Sequence, residues 1–482
     1  MTQLEADIIS TPTFQRLHNV RQLGLAHLVF PGANYSRFAH SVGACHNAGR
    51  ILDAIERNTG QSFSAEHHQA CRLAGLLHDI GHYPFSHATE HIIKSVYSNS
   101  FFAEDVGVAP EMKLPEGKTL PPYLDHENVG RQVIDYDPHL LTVFKKHNWE
   151  AEAIKRIFSK EEPDNGFFVQ VISSDLDCDR LDYLRRTAYM SGLPYGTVDI
   201  DYLIDQATLS SDGFYCFSSK ALRAADHLLV SRYYDYMQVP FHKTVVALEW
   251  SLTTCIRELI LRGYIGCSSG HVIQLIESGE WAYFDDNRFF AMFHQLRESL
   301  DTGKAEDQLI AAHLEALLMR KPAKLVYSYE IVEEMDASQH PSRVASANSA
   351  VKDVARKLGI AEDFLHVWNT PLPLTKAGSK FHEPEAGGAV HVLWDGKKKP
   401  LMAFPQALMN TLSKYQFSGV RIFLIDHEDR LGDVKESFAQ ILPSSVDILA
   451  DSEGEIDATM PTTATTATTD DAVESEAPFP NQ

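Results

Sequence analysis

The chain has 482 residues, which excludes a single minimal module and suggests roughly two to four structural units. A hydrophobic fraction of 44% and a charged fraction of 22% match soluble globular proteins with a sizeable core, so wholesale disorder is excluded. The 43 basic and 65 acidic residues give a net charge of −22, which argues against a protein that coats nucleic acids or other polyanions.

The N-terminal segment lacks the pattern of a signal peptide. Glu5 and Asp7 are acidic where a signal peptide has a basic region followed by an apolar one. No stretch approaches the roughly 20 apolar residues that a membrane helix needs. The six cysteines lie far apart without a Cys-x-x-Cys pair, which favours reduced, buried thiols over a zinc knuckle or a disulfide framework. We therefore expect a cytoplasmic protein with no membrane partner.

Helical spacing of apolar residues dominates the first hundred residues. It predicts helices over residues 1–60, with an irregular break before a new helix begins near Ser36. Ser64 has the character of an N-cap, and helical spacing continues from it up to Gly81. A further helix should start near Ser86.

The middle of the chain is also predicted to be helical. Four prolines mark residues 103–122 as an insertion or a long surface loop. Helical periodicity returns at 125–160 and 169–192, and 220–266 has the pattern of long helices. Between the last two, residues 214–217 alternate as in a hairpin strand.

The pattern changes after about Lys321. Short apolar runs predict three strands, at 325–327, 389–394 and 420–425, the second followed by an Asp-Gly turn. The last residues are rich in Thr, Ala and acids, which is typical of disorder.

These elements predict a mainly α protein with three parts. The parts are a helical core, a smaller α+β C-terminal region and a disordered acidic tail, at 1–320, 321–450 and 451–482.

One segment of the predicted core concentrates histidine. Six of the 23 histidines fall within 25 positions: His67, His68, His78, His82, His87 and His91. On a helix His78 and His82 would share a face, and the Asp79 side chain would be rotated by about 100° from that of His78 around the helix axis. Imidazole with carboxylate suits a divalent ion, whether Mn, Mg, Fe, Ni or Zn. Further ligands must come from elsewhere, and His40 and Asp179 are the best candidates.

Each of these side chains also has an ordinary structural interpretation. A lone histidine is more often a hydrogen-bonded structural residue, and the acidic run from Asp175 to Asp182 could be a solvated turn. Arg16, His18 and Arg21 could lie on a solvated helix face or form an effector or subunit contact.

The candidate ligands belong to a longer series of motifs. These are Thr11-Pro12-Thr13-Phe14-Gln15-Arg16-Leu17, Arg21-Gln22-Leu23-Gly24, Val29-Phe30-Pro31-Gly32-Ala33, Ser36-Arg37-Phe38-Ala39-His40-Ser41, the block from His78 to His87, Asp125-His126-Glu127, Asp179-Arg180-Leu181-Asp182-Tyr183, and Arg232 with His242-Lys243. Together they cover roughly residues 8–265. The sequence resembles the HD-domain phosphohydrolases, and most closely their deoxynucleoside triphosphate triphosphohydrolase branch.

The resemblance implies a helical HD-domain core at 1–320 and a metal-dependent reaction. The substrate would be a dNTP, hydrolysed at its α-phosphorus to deoxynucleoside and triphosphate. The implied metal ligands are His40, His78, Asp79 and Asp179. The implied catalytic groups are His82, Glu90 and His126. The implied substrate contacts are Gln22, Leu23, Arg37, His87, Arg180, Tyr183, Arg232 and Lys243.

The sequence departs from the family pattern at several positions. Glu90 stands in place of an aspartate, and Thr187 stands where the family often has an aspartate that hydrogen-bonds the 3′-hydroxyl. Tyr236 and Pro240 replace other groups on the base or phosphate side. Ser10 stands where an acid reads an activating guanine. The preferred base, the sugar preference and the activator are therefore not predicted.

Two other functions stay open at this point. One is an HD phosphodiesterase or nuclease acting on single-stranded nucleic acid or another nucleotide, which needs an open basic track. The other is a catalytically silent regulator that senses nucleotides. The resemblance also implies a homo-oligomer with a possible nucleotide effector.

Overall fold

The structure is a computed structural model that describes residues 1–98, 125–159, 166–266, 268–374 and 390–443. The predicted loop insertion and the predicted acidic tail lie outside these ranges. The described residues form a mainly α-helical protein, as predicted.

The elements are numbered in chain order. The helices are α1 (Gln3–Ile9), α2 (Pro12–Gln15), α3 (Arg37–Thr59), α4 (Ala65–Leu77), α5 (His87–Ser98), α6 (His126–Tyr136), α7 (Pro138–His147), α8 (Glu152–Ser159), α9 (Gly166–Ile172), α10 (Cys178–Ser191), α11 (Ile200–Asp205), α12 (Leu222–Gln238), α13 (Lys243–Leu261), α14 (Ser269–Glu277), α15 (Asp286–Ser299), α16 (Ala305–Leu318), α17 (His340–Leu358), α18 (Leu408–Leu412) and α19 (Leu431–Ile441). The strands are β1 (Ala207–Leu209), β2 (Tyr215–Ser218), β3 (Lys324–Glu334), β4 (Leu365–Pro373), β5 (His391–Trp394), β6 (Lys397–Pro400) and β7 (Tyr415–Leu424).

Helices α3 and α4 begin where predicted, but α4 ends early. Ser36 precedes α3, and the Ser64 side chain caps the first turn of α4. Helix α4 ends at Leu77, four residues before Gly81, and helix resumes only at His87. The prediction that the two histidines of the His-Asp block share a helix face is therefore wrong, because the block forms the turn between α4 and α5.

Two small sheets complete the fold, and the predicted strands are confirmed. Strands β1 and β2 form an antiparallel hairpin, and β2 pairs in parallel with β5, giving the order β1-β2-β5-β6. The second sheet is antiparallel with the order β3-β7-β4. The β2–β5 pairing joins a strand of the predicted C-terminal region to the helical core.

The main hydrophobic core surrounds α3 and α4. Leu52 on α3 and Leu73 on α4 are completely buried in it, as is Val392 of β5. A smaller core, which includes Val354 and Phe438, lies between the second sheet and helices α17 and α19. None of the helices in the described ranges combines the length and apolarity that a bilayer crossing requires.

Arg16 lies in the interior, which corrects both interpretations left open by the sequence. Its residue exposure is 2%, and its guanidinium carbon lies 4.4 Å from the centre of the Trp281 ring. Its Nε donates to the carbonyl of Phe284 at 2.6 Å, and its Nη2 donates to the carbonyl of His82 at 2.6 Å. Burial lowers the pKa of Arg16 to about 9. Arg16 therefore holds the turn that carries the His-Asp block.

Candidate active site

The four predicted metal ligands converge, although they come from three distant stretches of chain. The Nε2 atom of His40 lies 2.9 Å from Oδ1 of Asp179 and 3.2 Å from Nε2 of His78. Oδ1 of Asp79 lies 3.3 Å from the same nitrogen of His78. His40, His78 and Asp179 each offer one ligand atom, and these three atoms all lie within 4.8 Å of one another. Two imidazoles and two carboxylates at this separation suit a divalent ion.

The electrostatics of the cluster favour a bound cation. Burial disfavours charge on His40, yet Asp179 and Asp182 raise the pKa of its imidazole to about 10. Burial likewise opposes ionisation of Asp179, while His40 and His78 lower the pKa of its carboxyl. A metal ion competes with a proton for the same lone pairs, so carboxylates that stabilise the protonated imidazole also stabilise a bound cation.

The carboxylate of Asp79 is held from three sides. Its Oδ2 accepts from Nη1 of Arg37 at 2.5 Å, and its Oδ1 lies 3.1 Å from Nε2 of His82. Although burial opposes ionisation, Arg37, His78 and His82 hold the pKa of Asp79 well below its usual range. This carboxylate is therefore ionised and fixed in orientation.

The turn that carries the block contains backbone strain. Phe85 and Ser86 both have φ of +54°, a left-handed conformation that is uncommon for residues other than glycine. Oδ1 of Asp286 accepts from the backbone N–H of Phe85 at 2.8 Å, and the Ser86 hydroxyl accepts from Nε of Arg37 at 2.7 Å. These two hydrogen bonds stabilise the turn and connect it to the arginine that orients Asp79.

A second group of polar side chains lies beside the metal ligands. The Nδ1 atom of His126 lies 3.1 Å from Oε2 of Glu90, and Nδ1 of His87 lies 3.5 Å from the same oxygen. Lys94 forms an ion pair with the other oxygen of Glu90. The His82 ring stacks on His126 with 3.9 Å between centroids. Glu90 therefore pairs with His126.

The pKa values of His82 and His126 are shifted in opposite directions. Burial, followed by the charges of Arg37 and His126, lowers the pKa of His82 well below its usual range. Burial also opposes charge on His126, but Glu90 raises the pKa of that imidazole. At neutral pH His82 is thus the neutral imidazole and His126 the better proton donor.

Most of the predicted site residues line one cavity of about 470 Å³. The predicted members are Gln22, Leu23, Arg37, His78, Asp79, His82, His87, His126, Asp179, Arg180, Tyr183 and Arg232. His40 and Glu90 lie behind its wall, in contact with lining residues. Lys243 is exposed at the start of α13 and does not line the cavity, so its predicted contact stays a prediction.

The cationic side chains of the cavity are engaged to different degrees. Arg37 pairs with Asp79, and Arg180 pairs with Asp175 at 2.6 Å. The Nε atom of Arg232 is buried and has no hydrogen-bond partner among the described residues. An anionic ligand would satisfy this donor.

Two functional candidates were missed by sequence reasoning. Asp182 stands in one of the motifs but was given no role, because that role depends on a hydrogen bond to His40 across 142 residues. Asp235 lies on α12, lines the cavity and is only 4% exposed. Its spacing from Arg232 carries no family motif, so only the tertiary packing of α12 identifies it.

Comparisons with known proteins agree with this geometry. The family model described as "HD domain" matches residues 37–155. An uncharacterized protein of Bacillus subtilis, YwfO, is 30% identical over 54% of this chain and 53% of its own length. A Dictyostelium discoideum protein named deoxynucleoside triphosphate triphosphohydrolase SAMHD1 homolog is 25% identical over 90% of this chain and 77% of its own.

A solved structure shares the fold. The crystal structure of a hypothetical protein from Aquifex aeolicus superposes with a TM-score of 0.64 at 23% identity, covering 91% of this chain and 96% of that one. This chain spans about half the length of the first curated relatives it matches. Residues 37–155 thus match the HD-domain model, and the chain is similar to a relative named as a triphosphohydrolase, in agreement with the resemblance that its motifs carry.

Proposed function

We propose that this HD-domain protein is a metal-dependent phosphohydrolase that cleaves deoxynucleoside triphosphates to deoxynucleoside and triphosphate. The observation that carries the proposal is the convergence of His40, His78, Asp79 and Asp179 beside the 470 Å³ cavity. Cavities of roughly 300–1,000 Å³ are the usual size for small-molecule sites, which a nucleotide fits. The name of the Dictyostelium relative supports the choice of substrate.

The four converging side chains would hold the divalent ion. When bound, the ion would supply positive charge at the α-phosphate and lower the cost of nucleophilic attack there. Arg37 fixes the Asp79 carboxylate for this task. The donor set does not select between Mn, Mg, Fe, Ni and Zn.

The arginines of the cavity would bind the phosphates. Arg232 lines the cavity and its Nε has no hydrogen-bond partner among the described residues, so a phosphate oxygen would be a suitable acceptor for its guanidinium. His87 lies at the cavity wall, and its side chain is 71% exposed, so it can approach a phosphate without repacking. These cations offset, locally, the acidic excess of the whole chain.

His126 and Glu90 would move the proton. Glu90 occupies Nδ1 of His126, which leaves Nε2 of the protonated ring as the donor toward the leaving sugar oxygen. His82 is held neutral and stacked against His126, and its Nε2 lies 3.1 Å from Oδ1 of Asp79, so its part would be to position that carboxylate and the His126 ring. The longer Glu90 side chain reaches His126 despite the family's preference for aspartate at this position.

Gln22, Leu23 and Tyr183 would receive the sugar. A leucine packed beside the 2′ carbon disfavours a ribose hydroxyl, because the hydroxyl would be buried without a partner. A homo-oligomer and a nucleotide effector also remain proposals. Light scattering of the purified protein with and without each dNTP tests both.

Turnover with and without metal tests the proposed function. Protein stripped with a chelator is reloaded with Mn²⁺ or Mg²⁺ and incubated with each dNTP, each NTP and single-stranded DNA. We expect dNTP loss that depends on metal and disappears in Asp79→Ala, while Asp205→Ala, which changes an exposed carboxylate, behaves as the unsubstituted protein. Degradation of DNA alone would support the nuclease, and nucleotide binding without turnover would support the silent regulator.

A further inference from the structure

Asp235 is a buried carboxylate in the cavity wall for which the proposed mechanism gives no role. It lies on α12, one helical turn after Arg232, and is 4% exposed. It lines the cavity together with Tyr35, Tyr183 and Arg232. Among the described residues no ion pair within 4 Å joins it to a metal ligand.

One oxygen of Asp235 is engaged and the other is available. The hydroxyl of Tyr195 donates to Oδ1 at 2.6 Å. In the part of the chain that the structure describes, no further hydrogen bond or ion pair involves this carboxylate. Tyr195 therefore fixes the orientation of the group, and Oδ2 is left to accept from a ligand.

Asp235 lines the cavity together with Tyr35 and Tyr183 and lies one helical turn from Arg232. Besides burial, which has the larger effect, the charge of Asp235 raises the pKa values of Tyr35 and Tyr183. Tyr183 is the residue that the family resemblance assigns to the sugar. A carboxylate here would repel a triphosphate, so the group it accepts from must be a neutral donor on the nucleoside.

Thr187 does not fill this role. The family often has a sugar-binding aspartate at its position, but Thr187 is completely buried and does not line the cavity. Its hydroxyl lies 2.8 Å from the hydroxyl of Tyr35 and is engaged there. Position 187 on α10 therefore offers the cavity no carboxylate, whereas Asp235 on α12 does.

Burial of Asp235 is unfavourable in the absence of a ligand. Burial raises the pKa of its carboxyl to about 7, against the opposing effects of Tyr195 and Arg232. A buried polar group lowers stability unless a partner compensates for the lost water. A ligand hydroxyl would be such a partner.

We propose that Asp235 accepts a hydrogen bond from the 3′-hydroxyl of the substrate and so makes the enzyme select nucleotides that carry this group. A 2′-deoxynucleotide has one free hydroxyl on its sugar, the 3′-hydroxyl. Exocyclic amines and ring N–H groups of the base are the other neutral donors, and the experiment separates them from the sugar hydroxyl because a dNTP and its ddNTP carry the same base. The inference rests on the proposed function.

The experiment compares dNTPs with 2′,3′-dideoxynucleotides. kcat/KM is measured for dATP, ddATP, dTTP and ddTTP in the unsubstituted protein, in Asp235→Asn, in Asp235→Ala and in the surface control Asp205→Asn. Each ratio of dNTP to ddNTP comes from one preparation, so it is insensitive to the folded fraction. The unsubstituted protein and the control should prefer each dNTP by about 10-fold to 100-fold, the value of a hydrogen bond to a charged group.

The two Asp235 variants show whether this preference depends on the Asp235 carboxylate. Both Asp235 variants should bring the two ratios to within about threefold of unity, chiefly through slower turnover of the dNTPs, while ddNTP turnover changes little. An unchanged ratio would overturn the inference and leave the proposed function standing. An effect on the adenine nucleotides alone would do the same, because it would indicate a contact with the exocyclic amine that thymine lacks. Absence of turnover of every triphosphate by the metal-loaded unsubstituted protein would overturn the proposed function itself, and this inference with it.

Discussion

The Nδ1 atom of His40 lies 2.8 Å from Oδ2 of Asp182, on the side of the imidazole opposite the metal cluster. Asp182 is itself held by Arg186, whose Nε and Nη2 donate to its two oxygens at 2.8 Å and 2.6 Å. The carboxylate therefore fixes both the tautomer and the orientation of His40, leaving Nε2 for a metal ion. Carboxylate–histidine pairs of this kind raise ligand basicity in metal sites.

Asp182→Asn should weaken metal binding without removing a ligand. Loss of such a supporting carboxylate typically lowers metal affinity by about 10-fold to 100-fold. Titration of chelator-stripped protein with Mn²⁺, followed by calorimetry, measures the change. Asp205→Asn, which alters an exposed carboxylate, should leave the affinity unchanged. Equal affinity in Asp182→Asn and the unsubstituted protein would show that Asp182 has no such supporting role.

Gly81→Ala should destabilise the protein, because the turn of the His-Asp block touches α6. A Cβ at Gly81 would lie 2.1 Å from the backbone nitrogen of Gly130 and 2.2 Å from the carbonyl oxygen of His126. Overpacking of this kind lowers the free energy of unfolding by about 1–3 kcal/mol or more.

Gly130→Ala is the matched control for that substitution. A Cβ at Gly130 would meet its nearest neighbour at 3.6 Å, an ordinary contact, and alanine favours a helix by up to about 1 kcal/mol over glycine. Urea denaturation should therefore give a lower free energy of unfolding for Gly81→Ala only. Similar losses in the two variants would contradict the close approach.

Glu90→Gln should slow turnover while metal content stays the same. Burial opposes ionisation of Glu90, but His126, His87 and Lys94 hold its pKa well below the usual range, so the native group is a carboxylate. Glutamine cannot stabilise the charged imidazole, and kcat should fall by about 100-fold or more. The exposed substitution Glu298→Gln should have no effect.

The pH profile of kcat gives a second readout of the same pair. Glu90 raises the pKa of His126, so the Gln variant should lose the His126 proton at a lower pH. The alkaline limb of its profile should then move to lower pH. A parallel loss of activity at all pH values would argue for a purely structural role of Glu90.

Asp235 should make stability depend on pH when no nucleotide is bound. Its folded-state pKa of about 7 lies above the value of 3.8 expected in the unfolded chain. Above about pH 4 the unfolded state releases a proton that the folded state retains. The free energy of unfolding should therefore fall as pH rises from 4 to 7 and then level off.

The size of this effect follows from the pKa difference. At about 1.4 kcal/mol for each pKa unit, the loss is on the order of 4 kcal/mol at most. Urea denaturation at pH 5 and pH 8 should show a smaller difference for Asp235→Asn than for the unsubstituted protein. Identical differences would mean that Asp235 ionises normally.

Local signals in the sequence predicted the elements well, and tertiary contacts account for what it missed. Ser64 is a recognisable cap, α3 begins next to Ser36 as predicted, and the predicted strands correspond to β2, β3, β5 and β7, whereas β4 and β6 were not predicted. The end of α4 at Leu77 was not predictable from periodicity. The chain leaves the helix directly after Leu77, and the left-handed backbone at Phe85 and Ser86 that precedes α5 is stabilised by Asp286, some 200 residues away in sequence.

The residues of the candidate site also fall into two groups, those that the sequence predicted and those that only the folded chain reveals. Residue types, their order and the family resemblance predicted the four candidate metal ligands, which the fold brings together. Arginine is usually exposed, so burial of Arg16 against Trp281 gave no local signal. Asp182 and Asp235 act through contacts with His40 and Tyr195 that only the folded chain creates.

The identity of the phosphorus product tests the central claim most directly. Metal-loaded protein is incubated with dATP, and the products are followed by ³¹P NMR. Attack at the α-phosphorus with release of the sugar oxygen predicts intact tripolyphosphate and deoxyadenosine as the first products, and none in Asp79→Ala. Formation of pyrophosphate with dAMP, or of orthophosphate with dADP, would contradict the proposed reaction.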